Sequence, residues 1–157
     1  MTMNFDCLKG FVSDGTLSRP NIFFPVHEIH VQWLESKLGK QLPRDLKDFY
    51  REIGYGFLRQ NSRGEPQDSS NIQNLTLSPK QISEALDTDS PHCPLEGFGI
   101  GEVPILDLGE QLYLVIKYSR KGSCEGIYWP SAEKVTGTFE QLIEKMFYDD
   151  PCFYDRD

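Results

Sequence analysis

Residues 26–58, VHEIHVQWLESKLGKQLPRDLKDFYREIGYGFL, constrain this chain more than any other stretch, because their punctuation reads as a helical hairpin. Gly39 can take the positive φ that ends a helix. Pro43 has no amide hydrogen and suits the first position of the next helix. Asp45 then falls in the first turn, at the positive end of the helix dipole. Leu46, Phe49, Tyr50 and Ile53 follow at the i, i+3, i+4, i+7 spacing of one apolar face, and Gly54 and Gly56 stop the helix and turn the chain. The first helix, about residues 27–38, carries two apolar stripes at about 100° per residue. Val26, Ile29 and Trp33 lie on one side; Val31, Leu34 and Leu38 lie on nearly the opposite side. That pattern predicts a helix covered from two directions, one cover being the second helix and the other either the sheet or the segment Ile22, Phe23, Phe24.

Downstream the period changes. Residues 71–77 form a short strand candidate, and Ser78-Pro79-Lys80-Gln81 reads as a capping box with proline at the first helical position, starting a helix of about two turns to Leu86. Residues 103–108, 111–118 and 125–129 are strand-length runs rich in branched and aromatic residues. Leu108-Gly109-Glu110-Gln111 and Ser119-Arg120-Lys121-Gly122-Ser123 mark the turns between them, and short turns force antiparallel neighbours. Residues 134–136 are a short edge-strand candidate. Thr138 caps a last helix, with Gln141 completing its box and Phe139, Leu142, Ile143, Met146 and Phe147 forming its apolar face. The expected fold is α+β: a single antiparallel or mixed sheet of four to six strands, flanked by the N-terminal helical hairpin, a short middle helix and a C-terminal helix. Residues 60–71 and 87–101, rich in Ser, Gly, Pro, Asp and Asn, read as loops.

The pairs Leu34-Glu35, Leu38-Gly39, Leu42-Pro43, Asp45-Leu46 and Phe49-Tyr50, followed by Ile53-Gly54-Tyr55-Gly56-Phe57-Leu58, resemble the opening signature of the SUKH superfamily of Smi/Knr-type proteins. The resemblance continues at residues 75–82 and resumes at Ile127-Tyr128 and residues 138–143, covering roughly two thirds of the chain. His27 stands where that pattern has a Ser or Thr cap, and residues 87–101 are hard to align with it. The resemblance implies a non-catalytic binding protein, in bacteria an immunity protein that neutralises a polymorphic toxin. The alternative it leaves open is a regulatory or scaffolding domain that binds an endogenous protein.

A chain of 157 residues fits one domain, 1–157, and at 38% hydrophobic and 12% aromatic it can build a core. Sixteen Lys and Arg against 24 Asp and Glu give a formal charge of −8. Nucleic-acid binding needs clustered basic residues, and the only such cluster is Arg120-Lys121. An acidic surface suits a basic protein partner and speeds its association. The first residues hold no basic region followed by an apolar run, so no secretory signal is read, and no window approaches the roughly 20 apolar residues that span a bilayer. Cys7, Cys93, Cys124 and Cys152 are scattered without a C-x-x-C pair, which points to reduced thiols in a cytoplasm. The sequence favours a monomer.

Candidate chemistry is thin. His27, His30, His92, Cys93 and Cys124 lack the tight spacing of zinc ligands. Gly97-Phe98-Gly99-Ile100-Gly101 precedes a strand rather than a helix, unlike a phosphate loop. No G-x-S-x-G is present. No cofactor, metal site or enzymatic activity is therefore expected. The expected working surface is an acidic patch drawn from Glu102, Asp107, Glu110, Asp149 and Asp150, with Tyr113 as its surface aromatic. Tyr113 would alternate with Leu112, Leu114 and Ile116, which should face the core. The patch would cover the basic active site of the partner, possible nucleases included.

Overall fold

Among the described residues seven strands pair in chain order into one antiparallel sheet: β1 (Ile22–Phe24), β2 (Tyr55–Phe57), β3 (Leu75–Thr76), β4 (Val103–Gly109), β5 (Leu112–Tyr118), β6 (Cys124–Tyr128) and β7 (Lys134–Thr136). The computed structural model describes residues 5–13, 19–66 and 72–155. The start of the strand expected at 71–77 and the end of the loop expected at 60–71 lie outside the described residues.

The expected four to six strands become seven, and every strand pair is antiparallel. The additions are β1 and β2, three residues each. Runs that short show no alternation, and they exist because two glycines let the chain close. A Cβ on Gly54 would lie 1.9 Å from the Phe24 carbonyl oxygen, and one on Gly56 would lie 2.1 Å from that of Ile22. Their φ values of +115° and +155° also belong to glycine. Ile22, Phe23 and Phe24 thus add a strand beside β2.

Among the described residues four α-helices accompany the sheet: α1 (Glu28–Leu38), α2 (Arg44–Glu52), α3 (Pro79–Leu86) and α4 (Phe139–Tyr148). Their ends follow from local chemistry. His27 caps α1 itself, its Nδ1 accepting from the Ile29 amide at 3.1 Å, and Gly39 ends the helix at φ +70°. Pro43 proves to be the residue just before α2. The Ser78–Gln81 box is complete. The Thr138 hydroxyl accepts from the Gln141 amide, but Gln141 reaches back one residue further than expected, to the Gly137 amide.

Register places Phe23, Gly56, Thr76, Leu106 and Leu114 in one row across the sheet. This face meets the helices. The Phe49 ring of α2 packs edge-on against Phe5, Phe23 and Phe139 at 5.3, 5.8 and 5.1 Å, joining the N-terminal segment, the sheet and α4. The next row, Ile22, Phe57, Leu75, Asp107 and Tyr113, points to the opposite face.

One expectation about α1 fails. Val31 and Leu34 are buried, but Ile29 and Trp33 are 60% and 44% exposed. Of that stripe Val26 packs against the core, while Ile29 and Trp33 face outward and Lys37 lies over the Trp33 ring.

Candidate partner-binding surface

The face of the sheet away from α2 and α4 is covered, at one end, by the loop of residues 87–101. The loop has no helix or strand, yet it is built from successive turns: the amides of Ser90, Cys93 and Gly97 donate to the carbonyls of Asp87, Ser90 and Pro94. Three further links pin it to the sheet. The Tyr113 hydroxyl donates to the His92 carbonyl at 2.7 Å. The Gln111 side chain donates to the Pro91 carbonyl at 2.8 Å. Glu102, only 4% exposed, accepts from the Gly99 amide at 2.5 Å with one oxygen and from the Ser131 amide at 2.6 Å with the other. The Phe98 ring packs edge-on against Tyr113 at 5.6 Å.

Beside the pinned loop lies a groove of about 390 Å³, lined by Pro94, Leu95 and Phe98 of the loop and by Leu112, Trp129 and Pro130. Leu95 is fully exposed and Leu112 is 56% exposed. Glu96 and Glu110, both exposed, stand at the rim. Glu110 and Gln111 form a two-residue hairpin turn with φ of +52° and +63°, the mirror-type geometry that matches strand twist. That turn projects Glu110 beyond the sheet.

Tyr113 separates this groove from a second cleft, of about 340 Å³, lined by Gln73, Gln81, Glu84, His92 and Asp107. Burial raises the Asp107 carboxyl above its ordinary range, against the lowering effect of the Gly109 amide that donates to it at 2.7 Å. Burial, helped by Asp107, pushes the Tyr113 phenol up to about 12.

The six residues singled out from sequence are therefore not one patch. Glu110 stands at the groove rim and Asp107 in the neighbouring cleft. Glu102 is buried and acts as a clasp between two loops. Tyr113 is buried too, because the loop covers it, while Leu112, expected in the core, is exposed at the sheet end beyond the helices. Asp149 and Asp150 follow α4. The Asp149 carbonyl accepts from Asn61 and Arg63, and Asp150 accepts from the Cys152 amide. The tail that follows packs Tyr154 on Trp129 at 5.9 Å, but neither Asp149 nor Asp150 lines the groove.

Sequence reasoning missed Leu95, Phe98, Leu112 and Trp129 as one surface. A signal existed. Loops of this length in a compact domain are commonly functional, and residues 87–101 hold Leu95, Phe98 and Ile100 among prolines and glycines. Among the described residues no group of three or more His, Cys, Asp or Glu is placed to hold a metal, and no helix is long and apolar enough to cross a membrane.

Comparison with known proteins agrees with the hairpin signature. The profile of the SMI1 / KNR4 family (SUKH-1) matches residues 25–145. A protein of Bacillus subtilis (strain 168), "Immunity protein YxxD", is 38% identical over 42 residues, which span 27% of this chain and 29% of that protein. No solved structure gives a significant match.

Proposed function

The chain belongs to the SMI1 / KNR4 family (SUKH-1), and from that premise we propose that it is an immunity-type protein which neutralises a cognate toxin in the cytoplasm by direct binding rather than by turnover. The observation that carries the proposal is the pinned loop at residues 87–101. Its backbone is fixed to the sheet at both ends, while Leu95 and Ile100 stand fully in solvent. A loop held so firmly pays little ordering entropy on binding, and fixed loops on a rigid scaffold are where recognition concentrates. The name of the Bacillus relative supports the same reading.

Electrostatics supply the partner's character. At a formal −8 the chain attracts a basic protein. Glu110 at the rim, Asp107 in the cleft and the segment with Asp149 and Asp150 are the steering groups in this proposal. Glu102 and Tyr113 serve it from beneath, by holding the loop. Steering of this kind acts on the association rate and is screened by salt.

The test is co-purification of the tagged chain with the product of the neighbouring gene, followed by co-expression in cells that the product alone arrests. A stoichiometric complex and restored growth are expected. An isolated gene, or a neighbour that is harmless and does not co-purify, would discard the immunity reading in favour of a regulatory domain with an endogenous partner.

A further inference from the structure

The groove beside the pinned loop has a chemistry of its own. Apolar side chains in solvent rarely gather on a soluble surface without a use. Here Leu95, Phe98, Leu112 and Trp129 line one groove, which Glu96 and Glu110 also line. Its volume, about 390 Å³, falls near the lower end of the ~300–1,000 Å³ typical of ligand sites, which is room for one large side chain rather than for a helix. The clasp at Glu102 ties the two walls together, since Gly99 belongs to the loop and Ser131 follows Pro130.

We propose that this groove is a socket for a single large apolar side chain, aromatic for preference, carried next to a lysine or arginine on an exposed loop of a basic protein. The inference rests on the binding role proposed above and specifies its partner's chemistry. An aromatic ring entering between Leu95 and Leu112 displaces water from apolar walls, and its indole or phenol edge meets Trp129 in the offset or edge-on arrangement such rings prefer. The neighbouring cation pairs with Glu96 or Glu110 at the rim. Trp, Tyr and Arg are the residues enriched among interface hot spots.

The socket can be tested on the full chain without any toxin. Blocked tripeptides Lys-Trp-Lys, Glu-Trp-Glu and Lys-Gly-Lys are titrated into isotope-labelled protein, following the Leu95 and Leu112 methyl groups and the Trp129 indole by NMR. Lys-Trp-Lys at millimolar concentration should shift these signals, and the other two should bind at least tenfold more weakly. Leu112→Glu and Glu110→Lys, both exposed positions that leave the core untouched, should each weaken Lys-Trp-Lys at least tenfold. Shifts confined to Ile29 and Trp33 on α1, no shifts at all, or equal binding of the three peptides would overturn the socket. Growth rescue without peptide binding would overturn the socket and keep the immunity role. Peptide binding without rescue would support the socket and discard that role.

Discussion

Replacing Glu102 by Gln isolates the contact that shapes the groove. The carboxylate accepts two backbone amides, Gly99 at 2.5 Å and Ser131 at 2.6 Å, one on each oxygen. A carboxamide of the same shape keeps one acceptor and turns an NH2 group toward the other amide, so one hydrogen bond is lost and two donors face each other. Hydrogen bonds to a charged group contribute about 1.5–3 kcal/mol each. The Gln variant should therefore lose about 2–3 kcal/mol of loop anchorage, and Glu102→Ala, which loses both bonds, about 3–6 kcal/mol. For a domain of this size, 2 kcal/mol lost from global stability lowers Tm by roughly 4–8 °C. If the loop opens alone, Tm holds, and the Gly99 and Ser131 amides exchange with solvent about 30-fold faster, since 1.4 kcal/mol is tenfold. Thermal denaturation and residue-resolved hydrogen exchange together separate the two cases. Unchanged Tm with unchanged exchange at both amides would refute the idea that this carboxylate holds the loop.

Three other perturbations reach different parts of the account. Gly56→Ala sets a methyl against the Ile22 carbonyl at a φ of +155°. It should destabilise by roughly 2–4 kcal/mol, combining backbone strain with lost β1–β2 pairing, read as a lower urea midpoint. Leu34→Ala should cost about 2–5 kcal/mol, whereas Trp33→Ala on the open stripe of the same helix should change stability by under about 1 kcal/mol; equal losses would place Trp33 in a core it does not touch here. Asp107 has a native carboxyl raised by burial, so the folded state holds its proton to higher pH than the unfolded chain does. That component of stability is full at acid pH and is lost as pH climbs from the ordinary carboxylate value through the raised native one. Asp107→Asn should lack this loss and match or exceed the native chain in stability at neutral pH, as denaturant curves across the range would show.

The helical hairpin was legible because its signals are local. Gly39, Pro43, the spacing of Leu46, Phe49 and Tyr50, and the Ser78–Gln81 box each carry their own stereochemistry. What lay beyond reach depended on partners distant in sequence. β1 and β2 are too short for a pattern and exist through the close approach that Gly54 and Gly56 permit. Leu112 and Tyr113 had the right alternation but the wrong environments. Residues 87–101 bury Tyr113, and Leu112, at the first position of β5, lies exposed in the groove beside them. Register shifts between Pro104 and Leu106 and between Asp107 and Gly109 also break the parity on which such reasoning relies. Glu102 looked like surface charge because nothing near it in sequence announces that Ser131 will complete its cradle. The exposed side of α1 shows the same limit: periodicity identifies an apolar stripe, and only tertiary structure says whether anything covers it.

The claim at the centre is that this chain acts by occupying a partner's surface, one molecule for one. Titrating the purified chain into a fixed amount of the neighbouring gene's toxic product, while following both heat of binding and residual toxicity, measures that directly. Toxicity should vanish at one equivalent, coincident with a 1:1 binding isotherm, and Leu112→Glu should shift both together. Complete inactivation at a few hundredths of an equivalent, or full toxicity in a saturated complex, would contradict it.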